Sequence, residues 1–143
     1  MAEGDAHVVN NFKEQLLLKQ IDCDTDTFRL ALYSDAYAAG QIDGAAPAYS
    51  ATNEIVASGY TATGATIGVP VVTQDDTNEW GKWDDDGTDV LWTSLATATI
   101  QRAILYDDTT VTKWLCIIWE IATNSNGGNY TLAFNGNGML TLT

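Results

Sequence analysis

The chain has 143 residues, enough for one domain with a core of its own. Nineteen acidic against six basic side chains leave a net charge of −13, which argues against nucleic acid as a partner, because phosphate recognition needs clustered Lys and Arg. With 45% hydrophobic residues and five Trp the chain is not disordered, yet no run approaches the roughly 20 apolar residues of a membrane span.

The opening Met1-Ala2-Glu3-Gly4-Asp5 has neither a basic nor an apolar region, so no export signal is expected and residues 1–7 read as a flexible arm. Residues 8–20 predict a short helix. Val9, Phe12, Leu16 and Lys19 recur at three- and four-residue spacing, and Val8 and Leu17 widen that stripe. After the acidic connection of Asp22, Asp24 and Asp26, Phe28, Leu30 and Leu32 alternate with Arg29 and Ala31, the pattern of a half-buried strand. Residues 34–52, rich in Ala and broken by Gly40, Gly44 and Pro47, read as an ordered loop, with one helical turn expected over 51–57. A short strand is expected from Gly59 through Gly64 toward Ile67. Val69-Pro70-Val71-Val72 reads as an edge segment, since Pro70 has no N–H for a ladder. Glu79-Trp80-Gly81-Lys82-Trp83 and Val90-Leu91-Trp92-Thr93 are further strands, the first bracketed by two acidic turns.

Three extended runs close the chain, over 97–106, 112–121 and 130–134, with the last leading into 139–143. The breaks between them are Asp107-Asp108, Asn124-Ser125-Asn126-Gly127-Gly128 and Asn135-Gly136-Asn137-Gly138, all turn formers, so the sequence predicts an antiparallel meander. In the central run Leu115, Ile117, Trp119 and Ile121 fall on one face and Trp114, Cys116 and Ile118 on the other. A strand apolar on both faces must be covered on both, here by the N-terminal helix or by another subunit. The count of one helix and seven or eight short strands predicts a mainly β, antiparallel β-sandwich or jelly-roll-like domain spanning 1–143.

Few side chains suggest chemistry. A single His excludes a two-His metal site within one subunit, and His7 has no Gly-x-Ser-x-Gly elbow to serve. Cys23 and Cys116 lack metal spacing and are expected as reduced thiols. Asp84-Asp85-Asp86-Gly87-Thr88-Asp89 is rich in oxygen ligands, but its Gly is fourth where a calcium loop needs it sixth, so a solvated turn is expected. Among 19 acids nothing singles out a glycosidase pair. Trp80, Trp83 and Trp92 are better explained as core than as a sugar-stacking platform. The closing glycines precede no helix, and so are turn residues and not a phosphate cradle. Asn129-Tyr130-Thr131 matches a glycosylation sequon by chance. No catalytic residue, cofactor or metal is assigned.

One succession of motifs spans most of the chain: Asn11-Phe12-Lys13-Glu14-Gln15-Leu16-Leu17; Asp24-Thr25-Asp26-Thr27-Phe28-Arg29-Leu30-Ala31-Leu32-Tyr33; Tyr49-Ser50-Ala51-Thr52-Asn53-Glu54 leading to Ser58-Gly59-Tyr60-Thr61; Trp92-Thr93-Ser94-Leu95; Arg102-Ala103-Ile104-Leu105-Tyr106-Asp107; and Gly138-Met139-Leu140-Thr141-Leu142. In this order the chain resembles a family of tailed-bacteriophage virion structural proteins. It departs from that pattern after Gly59-Tyr60, where Thr63-Gly64-Ala65-Thr66 and the acidic Trp-containing stretch stand in place of a glycine-rich hairpin. The resemblance implies a decoration or cement protein on the capsid surface, assembled in the host bacterial cytoplasm and retained in the virion. Its partner would be the major capsid protein, and it would act as a homo-oligomer, trimer before dimer, with no nucleic acid or membrane contact. The expected contacts are Ala2, His7, Val8 and Val9 of the arm, Trp80, Trp83, and the acidic turn Asp84, Asp85 and Asp86, facing basic patches on the coat. A tail, neck or head-fibre part, or a carbohydrate- or host-surface-binding module, are the alternatives.

Overall fold

The structure is a computed structural model and describes residues 6–36, 48–96, 98–134 and 138–143. The expected class is found: antiparallel sheets dominate, with one short helix. The elements in chain order are β1 (Ala6–Val8), α1 (Asn10–Leu17), β2 (Phe28–Tyr33), β3 (Ala65–Thr66), β4 (Val71–Asp75), β5 (Trp80–Asp84), β6 (Val90–Trp92), β7 (Thr99–Asp107), β8 (Leu115–Asn124), β9 (Tyr130–Leu132) and β10 (Leu140–Leu142). They form a five-stranded sheet in the order β1-β8-β7-β2-β3, a three-stranded sheet β10-β5-β4, and a pair β6-β9.

Two expectations change at the N-terminus. Ala6, His7 and Val8 are not arm and helix but a strand, paired antiparallel with Trp119, Ile118 and Ile117. The helix therefore starts two residues late, at Asn10, and Val9 passes beneath it with no exposed surface. Its end is set by the backbone. Lys19 takes φ 57°, which lets the Gln20 amide donate to the Gln15 carbonyl at 2.9 Å and the Leu18 amide to Glu14 at 3.0 Å.

The closing meander holds only for its first hairpin, β7 with β8. β9 pairs with β6, and β10 with β5. The reason is occupancy: the outer edge of β8 is already taken by β1, so the chain beyond Asn124 must find partners elsewhere. The Leu95 amide donating to Gly128 O at 3.0 Å, and Ser94 N to the Asn129 carboxamide oxygen at 3.0 Å, bring the turn toward β6.

Residues 51–57 make no helical turn. Asn53 stands at φ 63° and Glu54 bridges to Tyr33. Residues 59–64 are turn and irregular chain, and only Ala65 and Thr66 join β2. Gly64 is required there: its φ is +74°, and a Cβ would lie 2.1 Å from the Leu30 carbonyl oxygen. The expected loop over 37–47 lies outside the described residues.

The doubly apolar β8 is covered by the chain itself. Register puts Phe28, Leu30, Leu32, Ala103, Leu105, Ile117 and Trp119 on one face of the large sheet. Trp83 of β5 closes that face, 4.9 Å from the Phe28 ring and 5.5 Å from Phe12 of α1. The opposite face carries Tyr33, Arg102, Ile104, Tyr106 and Ile118, and residues 48–54 cross it: Tyr49 stacks on Tyr106 at 4.5 Å, and the Tyr33 hydroxyl donates to Ser50 O at 2.7 Å. Leu115 changes sides. Between Leu105–Ile117 and Tyr106–Leu115 the register shifts by one residue, so Cys116 is the bulged residue and Leu115 joins Tyr106 instead of Ile117.

Candidate functional site

Strands β1 and β10 and helix α1 frame an extended apolar depression, and the alternation of its strands shows how it is built. All three residues of β1, Ala6, His7 and Val8, line it. Successive strand residues point to opposite faces, so three in a row on one groove means that the groove runs along the strand's edge. From β10 only Leu140 and Leu142 take part, the period-two signature of a sheet face. Asn10, Lys13, Leu16 and Leu17 of α1 complete the walls around a volume of 620 Å³. A second hollow of 230 Å³ continues from it over Leu16, Cys23, Val72, Gly81, Lys82 and Trp83. Because Leu140 sits opposite Trp83, and Leu142 opposite Gly81, the same face of β10 and β5 lines both hollows.

Strands β1 and β10 stand at the edges of their described sheets. Leu17 is 86% exposed, Leu142 64% and Val72 51%, so three large aliphatic side chains stand in water on this one side. No carboxylate is among the described residues lining either hollow, although the chain carries 19. Lys13 reaches its margin, as does Lys82, which is paired with Asp84 at 2.9 Å. The patch is therefore apolar on an acidic molecule. Gly138 admits the chain to β10 at φ +87°, where a Cβ would meet the Trp83 carbonyl oxygen at 2.6 Å.

The residues expected as contacts scatter. His7 and Val8 lie on the groove. Val9 is fully buried, and Trp83, 4% exposed, is part of the floor and core; burial removes both from the outer surface. Trp80 is half-buried at the turn end of the β4–β5 hairpin, beside Asp75, Asp76 and Glu79. At the other end of β5, Asp84 pairs with Lys82 at 2.9 Å and Asp85 is buried. The Asp85 carboxylate accepts from the Gly87 amide and that of Asp86 from Thr88, so both serve their own turn. Burial pushes the Asp85 carboxyl up, while hydrogen bonds from Thr88 hold that of Asp86 down. Ala2 lies outside the described residues. Leu16, Leu17, Val72, Leu140 and Leu142 were not foreseen; the run Leu16-Leu17-Leu18, wider than one helix face can bury, was their signal.

Two other features were candidates for chemistry. Glu54, buried, accepts the hydroxyls of Tyr49 at 2.5 Å and Tyr60 at 2.7 Å, and Tyr60 in turn accepts the Leu32 amide at 3.0 Å. Burial, then the Glu54 carboxylate, raises both phenols well above their ordinary value, so they are fixed donors bracing residues 48–60 on β2. Arg102 grips Asp35 through Nε at 3.1 Å and Nη2 at 2.9 Å and lies 4.6 Å over the Tyr33 ring. Both networks act as braces, with Arg102 Nη1 buried and without a hydrogen-bond partner. Among the described residues no group of three His, Cys, Asp or Glu side chains is placed to hold a metal ion. Among the described residues, no helix is long and apolar enough to cross a membrane. Compared with protein-family models, curated proteins and solved structures, the chain matches none of them.

Proposed function

We propose that this chain is a non-enzymatic virion structural protein of a tailed bacteriophage, a decoration protein that binds the outer surface of the major capsid protein lattice and stabilises the head. The supporting observation is the groove along β1, α1 and β10: an exposed apolar face, with no carboxylate among its described lining residues, on an otherwise acidic molecule, such as marks a protein contact. The resemblance of the motif succession points the same way. On a lattice, many copies held through modest contacts gain avidity, and bridging of neighbouring capsomers by buried area stabilises the shell without chemistry. In this reading the protein is made in the host cytoplasm, acts as a symmetric homo-oligomer and remains on the capsid surface.

Incubating the purified protein with capsids that lack it tests the reading. Co-sedimentation at hundreds of copies per particle, with increased resistance to heat, is the expected result. Six to a dozen copies confined to the neck or tail fraction would assign it to another virion part, and no occupancy would overturn the reading. A sugar-binding role has one observation in its favour: half-buried Trp119, Tyr130 and Phe134 line a cleft of 440 Å³, with Trp119 and Phe134 5.4 Å apart. Binding on a glycan array that Trp119→Ala abolishes would favour that alternative.

A further inference from the structure

We propose that Asp26 and Asp107 share one proton in the folded protein, and that this proton is a latch holding the loop over 22–26 to the turn over 107–110, closed in mild acid and loosened near neutral pH. The inference goes beyond the proposed function and does not depend on what the groove binds. Three observations carry it. The first is the lacing of the two segments. The Thr27 amide donates to Thr109 Oγ1 at 2.7 Å and the Asp108 amide to the Thr27 carbonyl at 2.8 Å, while Phe28 stands opposite Asp107 in the β2–β7 register. Asp26 is thereby held against the turn that Asp107 begins.

The second is an orphaned oxygen. Asp107 is wholly buried, and its Oδ1 accepts the Thr109 and Thr110 amides, but its Oδ2 is out of reach of solvent and has no partner among the described residues. The Thr110 hydroxyl is buried and equally without one, so it is not the donor. The third is Asp26 itself, whose Oδ2 accepts the Asp22 amide at 2.7 Å while its carboxyl lies within hydrogen-bonding reach of Asp107. Two ionised carboxylates have no hydrogen to put between them. With one proton the pair makes a charge-assisted O–H···O⁻ bond, and the orphan is satisfied.

The surrounding groups leave the pair to its proton. Arg29 and Lys113, which approach the turn, are both held by Asp108, Arg29 at 3.8 Å. Asp22 and Asp24 of the loop add negative charge, and hydrogen bonds from Asp24 and Thr25 keep Asp22 ionised. Cys23 of the loop and Cys116 of β8 stay neutral, because burial raises both thiols. Burial, with the charge and hydrogen bond of Asp26 behind it, raises the Asp107 carboxyl to about 6; in the opened segment it returns to the ordinary value near 4. The closed form therefore takes up the proton first. Its advantage grows as pH falls from about 6 to about 4 and is absent above that window.

Native-state amide hydrogen exchange on the whole chain, corrected for the intrinsic rate at each pH, tests the latch. At pH 7.5 the Thr27, Asp108 and Thr109 amides should exchange faster than those of central β7, through a local opening. Their protection should rise about tenfold between pH 7.5 and pH 5. Asp26→Asn supplies a hydrogen to Asp107 at every pH, so it should give at pH 7.5 the protection that the wild type reaches at pH 5, and the rise should shrink to about twofold or less. Carbon-13 NMR of the wild-type carboxyls should show Asp26 and Asp107 titrating together in two steps. A tenfold rise that survives in Asp26→Asn, or two carboxyls that titrate independently, would place the proton on Asp107 alone and overturn the sharing. Protection at these amides that is independent of pH, or equal to that of central β7, would overturn the latch.

Discussion

Asp107 ends β7 with its carboxyl wholly out of solvent, one oxygen accepting the Thr109 amide at 2.7 Å and the Thr110 amide at 3.3 Å. Burial, reinforced by the negative charge of nearby Asp26, pushes its pKa up to about 6 against an ordinary value near 4, an effect that the two amides only partly oppose. A carboxyl raised on folding penalises the ionised native state. The penalty is full above about pH 6 and vanishes below the unfolded value of about 4. Melting temperature should therefore rise by a few degrees between pH 7.5 and pH 5, at about 2–4 °C per kcal/mol for a chain of this size. Below pH 4 the trend should reverse as Asp22, Asp75 and Asp86, held low by hydrogen bonds to their own turns, are protonated. Asp107→Asn keeps an acceptor for Thr109 and imitates the protonated side chain, so it should raise the melting point at pH 7.5 and flatten the slope down to pH 5. A wild-type slope of the opposite sign would refute the assignment. The thiols belong to the same neighbourhood: burial pushes Cys23 up to about 12 and raises Cys116 well above its usual range, and both are unbridged.

Helix α1 is held by packing more than by its own ends. Its N-cap, Val9, makes no side-chain capping bond, no acid stands in the first turn and no base in the last. What anchors it is Phe12, fully buried against Trp83. The C-terminus forces Lys19 to φ 57°, a conformation that costs a side chain about 1 kcal/mol and glycine little. Lys19→Gly should thus stabilise the protein by about 0.5–1 kcal/mol in urea denaturation, with an unchanged slope; a loss of stability would show that the lysine stem contributes packing instead. Periodicity made β2, β5, β6, β7 and β8 legible to within three residues at either end, because each is long or apolar enough to carry its own pattern. It failed where partners decide the outcome. β1 has three residues with no alternation, and its identity comes from the vacant edge of β8. The faces of β8 were misread at Leu115 because the bulge at Cys116 breaks the period of two without any Gly or Pro to announce it. Of the groove, His7, Val8 and Trp83 of its floor were anticipated; its aliphatic walls come from residues 16, 17, 72, 140 and 142, which meet only through tertiary structure.

At the scale of the molecule, acidic side chains far outnumber basic ones, while no carboxylate is among the described residues that line the groove. Net charge of −13 destabilises the compact state through self-repulsion, and screening relieves it. Raising sodium chloride from about 10 mM to 0.5 M should stabilise the isolated protein by about 1 kcal/mol in thermal melts; a fall would show that its few ion pairs outweigh the repulsion. The pairing of β9 with β6 and of β10 with β5 has a further consequence, for the order in which the chain takes shape on the ribosome. The five-stranded sheet has all its strands once Asn124 has emerged, whereas β5 and β6 gain their partners β10 and β9 only with residues 130–142. Until then Trp83 and Phe12 lack part of their cover, and a stalled nascent chain is at its stickiest in the interval just before synthesis of Leu140 to Leu142.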